Sequence, residues 1–139
     1  MKKEQRKHVT QMTKSEINFV EAKLRLKRAK VSASNLHVSF HAQERLLSRT
    51  SLNVTLALMI DTIKDSSFQE YKIIRYNGKI SDIRVLLRSN KSYSGKQIIL
   101  VYSLMSNAVA TGWVNSTTDN HSTLDLSLYD SAMKIIGAV

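Results

Sequence analysis

The chain has no cysteine, no proline and only four glycines among its 139 residues. Without cysteine it forms neither a disulfide bond nor a thiolate metal site, and it has no cysteine nucleophile. It contains no apolar run of about eighteen residues, the length that a membrane helix needs, and no signal-peptide core after its basic start. We therefore expect a cytoplasmic protein that does not bind membranes.

Positive charge is what the chain has in excess. Its formal net charge is +10, and the first fifty residues carry twelve Lys/Arg against four Glu, whereas residues 51–139 carry nine against seven acidic residues. Such an asymmetry raises the rate of encounter with polyanions. Nucleic acid is the partner class that this charge favours, although membrane surfaces, acidic protein partners and solubility also select for basic residues.

Residues 1–36 are predicted to form a basic N-terminal tail and an amphipathic helix. The first twelve residues are polar without periodicity, so we expect them to be disordered in isolation. Thr13 to Glu16 has the pattern of a capping box, and apolar residues then recur at helical spacing to about residue 30. Two interpretations explain the cations of this helix equally well. The helix contacts RNA directly, or it is a docking or dimerising helix whose charged face is solvated. The cations that are candidate nucleic-acid ligands are Lys23, Lys27, Arg28 and Lys30.

Residues 37–139 are predicted to form an α+β domain, and the length suits one domain of ordinary size. Two helices are expected first, beginning near Ser39 and Asn53. After Asp65 the spacing of apolar residues changes from that of a helix to that of extended strands. Asn77-Gly78 then predicts a type I′ hairpin turn. Two more β-rich runs and a short final helix or strand follow. Helices succeeded by antiparallel strands indicate N-terminal helices packed on a four-stranded antiparallel sheet.

One cationic face of the second helix has the clearest chemistry. His41, Arg45 and Arg49 stand at i, i+4 and i+8, so they lie along one side of the helix with a rise of about 6 Å per step. Arginine binds phosphate in a bidentate manner, and imidazole titrates near neutral pH. Cleavage of RNA by its own 2′-hydroxyl needs a base, an acid and positive charge on the phosphorane, and it requires no metal or other cofactor. The pattern favours a metal-independent endoribonuclease.

The order of segments from residue 37 to about residue 130 also carries a resemblance. It consists of Phe40-His-Ala-Gln-Glu-Arg-Leu-Leu-Ser-Arg49, an apolar helix, the meander Tyr71-Lys-Ile-Ile-Arg-Tyr76, Asp82-Ile-Arg-Val-Leu-Leu87 and Ile98-Ile-Leu-Val-Tyr102, and a Thr-x-Trp strand with a trailing His. This order resembles the toxin ribonuclease superfamily that spans barnase, EndoU, colicin D and RelE, with many phage and bacterial toxin domains. The resemblance implies a RelE- or colicin D-like fold, RNA such as tRNA or mRNA as substrate, and an acidic immunity or antitoxin protein as a partner.

The resemblance also implies roles for individual residues. The implied catalytic residues are His41 as base or acid, Arg45 on the phosphate, Thr111 as a hydrogen-bond donor and His121 as second proton carrier. The remaining candidate nucleic-acid ligands are Arg49 on phosphate, Trp113 as a stacking platform, and Asn115.

Each of these groups also has an ordinary structural interpretation. Arg45 can pair with a carboxylate such as Asp61, and the only tryptophan, Trp113, is at least as often part of a core. The spacing of His121 and nearby aspartates matches no familiar metal site, so we predict none. The alternatives to an enzyme are a non-catalytic nucleic-acid-binding protein and a phage regulatory or interaction protein that uses the same basic face.

Overall fold

A six-stranded sheet is the centre of the fold in the computed structural model, which describes residues 1–48, 53–118 and 124–135. The strands are β1 (Lys2–His8), β2 (His37–Val38), β3 (Ser66–Tyr76), β4 (Lys79–Ser89), β5 (Lys96–Ser103) and β6 (Ala108–Ser116). Their order is β1-β3-β4-β5-β6-β2, antiparallel throughout except for β2 beside β6. The α+β class is confirmed, but the prediction of four strands is wrong, because β1 and β2 extend the sheet at its two edges.

Helices pack on one face of this sheet. They are α1 (Lys14–Lys30), α2 (Phe40–Ser48) and α3 (Leu56–Lys64), with short 3-10 turns at Val9–Gln11 and Leu126–Leu128. The predicted capping box is confirmed, since the Thr13 hydroxyl accepts from the Glu16 N–H and the Glu16 carboxylate from the Thr13 N–H. The third helix begins later than predicted because its cap is Thr55, whose hydroxyl accepts from the Leu58 N–H.

The first residues of the chain form structure rather than the predicted tail. β1 pairs antiparallel with β3 from Lys2 opposite Tyr76 to His8 opposite Glu70. The prediction is wrong because the polar side chains of β1 find partners inside the protein, which periodicity in hydrophobicity does not reveal. The clearest partner is Glu16, whose carboxylate lies 2.9 Å from the Lys7 ammonium with both side chains 7% exposed.

Local turn chemistry sets the hairpins. Asn77 and Gly78 have φ angles of 52° and 81°, as the predicted type I′ turn between β3 and β4 requires. Asn107, with φ of 51°, turns the chain from β5 into β6.

The core between sheet and helices is formed by buried apolar side chains, and its fully buried members include Val20, Leu24, Leu46, Ile63, Tyr71, Val85, Leu87, Ile98, Leu100 and Tyr102.

Candidate nucleic-acid interface

The start of α2 is tied to β6 by Ser39. The Ser39 N–H donates to the Val109 carbonyl over 3.0 Å, and its hydroxyl donates to the Ala110 carbonyl over 2.6 Å. The same hydroxyl accepts from the Ala42 N–H at 3.0 Å, so Ser39 also satisfies one of the free donors at the helix start. The helix therefore begins at a fixed position beside β6.

Gly112 lets the middle of α2 lie against β6. A Cβ atom at this position would lie 2.7 Å from the Ile99 carbonyl oxygen and 3.1 Å from Cδ1 of Leu46. The carbonyl belongs to the neighbouring strand and cannot give way, so only glycine permits this approach. Together, Ser39 and Gly112 fix α2 along β6, and we call this region the α2–β6 edge.

Trp113 lies on the sheet face opposite the helices. Gly112 faces Leu46 of α2, and successive strand residues point to opposite faces, so Thr111, Trp113 and Asn115 point the other way. Trp113 is partly exposed. It is therefore available as a surface aromatic rather than as a core side chain.

Arg45 joins the helix to this aromatic side chain. Its guanidinium carbon lies 5.8 Å from the centroid of the Trp113 ring, which is within the range of a cation–π contact worth about 0.5–1 kcal/mol at an exposed site. Because Trp113 faces away from the helices, Arg45 reaches it around the strand. The contact joins two residues that the sequence analysis names as separate candidates, Arg45 for phosphate and Trp113 for stacking.

His41 lies one helical turn before Arg45, about 6 Å along α2. Its side chain is exposed, and it makes no hydrogen bond or ion pair among the residues that the structure describes. Its imidazole therefore stands open to solvent on the same side of the helix as Arg45.

Thr111 adds a hydroxyl without a partner. Its Oγ1 is buried and has no hydrogen bond within the described parts of the chain. A buried polar group in this state costs about 1–3 kcal/mol, a cost that an incoming acceptor removes. Thr111 stands two residues before Trp113 on the same face, and Asn115 stands two residues after it, partly exposed.

A second arginine, Arg88, shares this face, and the sequence reasoning missed it. The register sets Arg88 of β4 opposite Ile99 of β5, and Ile99 opposite Trp113. Two steps of about 4.8 Å between strands thus separate the backbones of Arg88 and Trp113. Arg88 Nε donates to Gln97 Oε1 over 2.8 Å, which holds its side chain along the sheet. The spacing of Arg84 and Arg88, four residues apart in a strand, was the signal that could have found it.

The cations of α1 lie elsewhere. Arg28 donates from Nε to the Ile63 carbonyl and from Nη2 to the Ser66 carbonyl, both over 2.8 Å, and so closes the end of α3 beside β3. β3 is three strands away from β6 in the sheet, about 14 Å. Lys23, Lys27 and Lys30 are on the same helix, so the structure does not bring these four cations to the α2–β6 edge. Their contact with nucleic acid stays a prediction.

Two predicted site residues, Arg49 and His121, lie outside the described residues. In the parts of the chain that are described, no cluster of three His, Asp or Glu side chains could hold a metal ion. Those same parts contain no helix with the length and apolar character needed to span a membrane.

No protein-family model, curated protein or solved structure matches the chain. The interpretation of the α2–β6 edge therefore depends on its own geometry, which is that of an aromatic side chain flanked by arginines and an open imidazole.

Proposed function

We propose that the protein binds RNA at the α2–β6 edge and cleaves it as a metal-independent endoribonuclease. The observation that carries the proposal is the Arg45 guanidinium 5.8 Å from the Trp113 ring, one helical turn from the exposed His41. This arrangement offers a phosphate ligand, a stacking surface and a proton carrier on one stretch of surface.

Binding follows from the first two groups. A base stacked on an aromatic side chain such as Trp113 contributes about 1–3 kcal/mol, whichever base it is. Arg45 then lies at the level of the adjoining phosphate, to which its planar fork donates two hydrogen bonds. Arg88, two strands further along the same face, supplies a second cation for the next part of the backbone. Single-stranded RNA fits this arrangement best, since its bases are free to stack.

Cleavage follows from the imidazole. His41 removes the 2′-hydroxyl proton, the 2′-oxygen attacks the adjacent phosphorus, and the 5′-oxygen leaves with a proton from a second carrier. Arg45 and the unpartnered Thr111 hydroxyl stabilise the negative oxygens of the phosphorane. The second carrier predicted from the sequence is His121. The resemblance to toxin ribonucleases supports the same assignment, with tRNA or mRNA in the cytoplasm as substrate and an acidic immunity or antitoxin protein as partner.

A non-catalytic RNA-binding protein is the second candidate. It is favoured by one observation: His41 is the only histidine on α2, whereas the cleavage chemistry uses two proton carriers. The Arg45–Trp113 contact serves this function equally.

Incubation of the purified protein with total RNA in EDTA tests both. We expect fragments with 2′,3′-cyclic phosphate ends, and a rate lower by about 10²- to 10⁴-fold in His41→Ala. His37→Ala is the matched control, because His37 is also exposed and lies on β2 just before α2. Salt-sensitive binding without cleavage selects the second candidate, and the absence of both binding and cleavage refutes the proposal.

A further inference from the structure

A cavity of about 230 Å³ lies between α1 and the sheet, beside the turn that joins β5 to β6. Its walls are largely apolar. The apolar residues that line it are Leu26, Ile83, Leu104 and Met105. Leu26 and Met105 are 64% and 52% exposed, so the cavity opens to solvent between two apolar side chains. An apolar cavity of about 150 Å³ holds a benzene molecule, so this one has room for a ring with a short substituent.

Tyr71 lines the same cavity and has an unused hydrogen-bond donor. The residue is fully buried, and its hydroxyl has no hydrogen-bond partner within the described residues. Burial raises the pKa of Tyr71 to about 12, so the hydroxyl keeps its proton at physiological pH. An unpaired buried hydroxyl costs about 1–3 kcal/mol, and a ligand oxygen would remove that cost.

Two lysines complete the lining, and the Lys23 ammonium lies 5.1 Å from the centroid of the Phe19 ring on the same helix. Lys23 and Lys27 stand one helical turn apart on α1, and both are partly buried against the cavity. The described residues that line the cavity include no carboxylate to balance them. An apolar space with a phenol donor and two cations is complementary to an anion with an apolar body.

We propose that this cavity binds a small apolar carboxylate, either an aryl-alkanoate or a short-chain fatty acid. The hydrocarbon part packs against Ile83 and Leu104, and the carboxylate accepts from Lys23, Lys27 and the Tyr71 hydroxyl. The site is separate from the α2–β6 edge, because Trp113 lies six residues along β6 from the turn at Asn107, about 20 Å, and on the other face of the sheet. The proposal does not depend on RNA cleavage.

Titration of the protein with phenylacetate and hexanoate, each beside its neutral amide, tests the proposal by calorimetry and by backbone NMR shifts. We expect the carboxylates to bind more tightly than the amides and to shift the signals of α1 and of the β5–β6 turn. The double variant Lys23→Gln/Lys27→Gln should weaken carboxylate binding at least about tenfold, equal to about 1.4 kcal/mol, and leave amide binding unchanged.

Lys30→Gln is the matched control, since Lys30 is an exposed lysine in the last turn of the same helix. It should leave both affinities unchanged. Tyr71→Phe should weaken binding of acid and amide alike while the protein stays folded, because the change removes an unpaired polar atom. Absence of binding up to the solubility of the four compounds overturns the proposal, as does equal binding of acid and amide.

Discussion

Two clusters in this protein each combine a histidine, an arginine and an aromatic ring. They differ in whether other side chains of the protein already neutralise and bury these groups. At β1, His8 is 8% exposed and lies edge-on to Tyr129, with ring centroids 5.4 Å apart. The Arg6 guanidinium lies 4.4 Å from the same ring and 3.8 Å from the Glu70 carboxylate, which also accepts from the Tyr129 hydroxyl. We call this the β1 cluster.

At the α2–β6 edge the same residue types are left open. His41 is exposed, and Arg45 contacts Trp113 but forms no ion pair with a carboxylate among the described residues. In the β1 cluster a carboxylate of the protein neutralises the arginine, whereas among the described residues no carboxylate pairs with Arg45. The comparison indicates that the β1 cluster and the adjoining Lys7–Glu16 ion pair stabilise the fold, whereas the edge holds the groups that we propose bind RNA.

The largest expected effect is on stability, at the buried ion pair. Glu16→Ala leaves the Lys7 ammonium buried without its counter-charge, so unfolding in urea should show a loss of about 3–5 kcal/mol. The control is Glu21→Ala, which breaks a more exposed ion pair to Arg28 at 3.6 Å and should cost at most about 1 kcal/mol. An equal loss in the two variants would contradict a special role for the buried pair.

Gly112→Ala should affect both stability and RNA binding. The added methyl group meets the Ile99 carbonyl, so either the strand or α2 must move, at a cost of about 1–3 kcal/mol. We expect weaker RNA binding as well, because Arg45 moves with the helix. Gly78→Ala is the control: Gly78 has φ of 81° but open space around it, so the change strains only a distant turn. Unchanged RNA affinity in Gly112→Ala would contradict the idea that the close approach of α2 to β6 positions Arg45 for RNA.

Arg45→Gln should reduce RNA affinity by about 1 kcal/mol or more and lower the dependence of affinity on salt by about one phosphate contact. The helix should keep its stability, because Arg45 is partly exposed. Lys91→Gln, an exposed cation after β4, serves as the control for net charge alone. Filter binding at several salt concentrations measures the RNA affinity of both variants. If affinity depends on salt equally in Arg45→Gln and Lys91→Gln, Arg45 does not contact a phosphate.

The smallest effect is a pH dependence of stability from Glu16. Burial raises the pKa of this carboxyl, but hydrogen bonds from the Thr13 and Ile135 N–H groups and from Lys7 outweigh burial and hold it below its usual 4.5. A carboxyl with a lowered pKa in the folded state stabilises the protein above its unfolded pKa, and this stability is lost as pH falls through the folded value. Urea unfolding between neutral pH and strongly acidic pH should show this decline, reduced in Glu16→Ala.

Local signals in the sequence predicted the parts of the fold that depend on neighbouring residues. The capping box at Thr13 and the turn at Asn77-Gly78 are examples, since each needs only a few adjacent residues. β1 could not be predicted this way, because its stability comes from pairing with β3 and from Glu16 in the next element. Hydrophobic periodicity does not report polar partners that are distant in the sequence.

The candidate site shows the same division. Arg45 and His41 follow from helical spacing, but the row from Arg88 to Trp113 depends on the registers of β4, β5 and β6. The close approach at Gly112 depends on the packing of α2 over the strand. A single sequence carries no direct signal for register or packing distance, so these features required the structure.

β1 also has a consequence for how the molecules behave in concentrated solution. As the terminal strand of the sheet it has one edge that pairs with no other described strand, and such an edge can template another chain. A protein without proline lacks one common means of preventing this, but the segment around Asp130 covers part of the edge, since the Asp130 N–H donates to the Arg6 carbonyl over 2.7 Å. Lys2 and Lys3 are exposed at the start of this strand, so two copies meeting edge to edge there would bring like charges together. We therefore expect the segment around Asp130 and the two exposed lysines to oppose self-association through β1, an effect that requires no ligand.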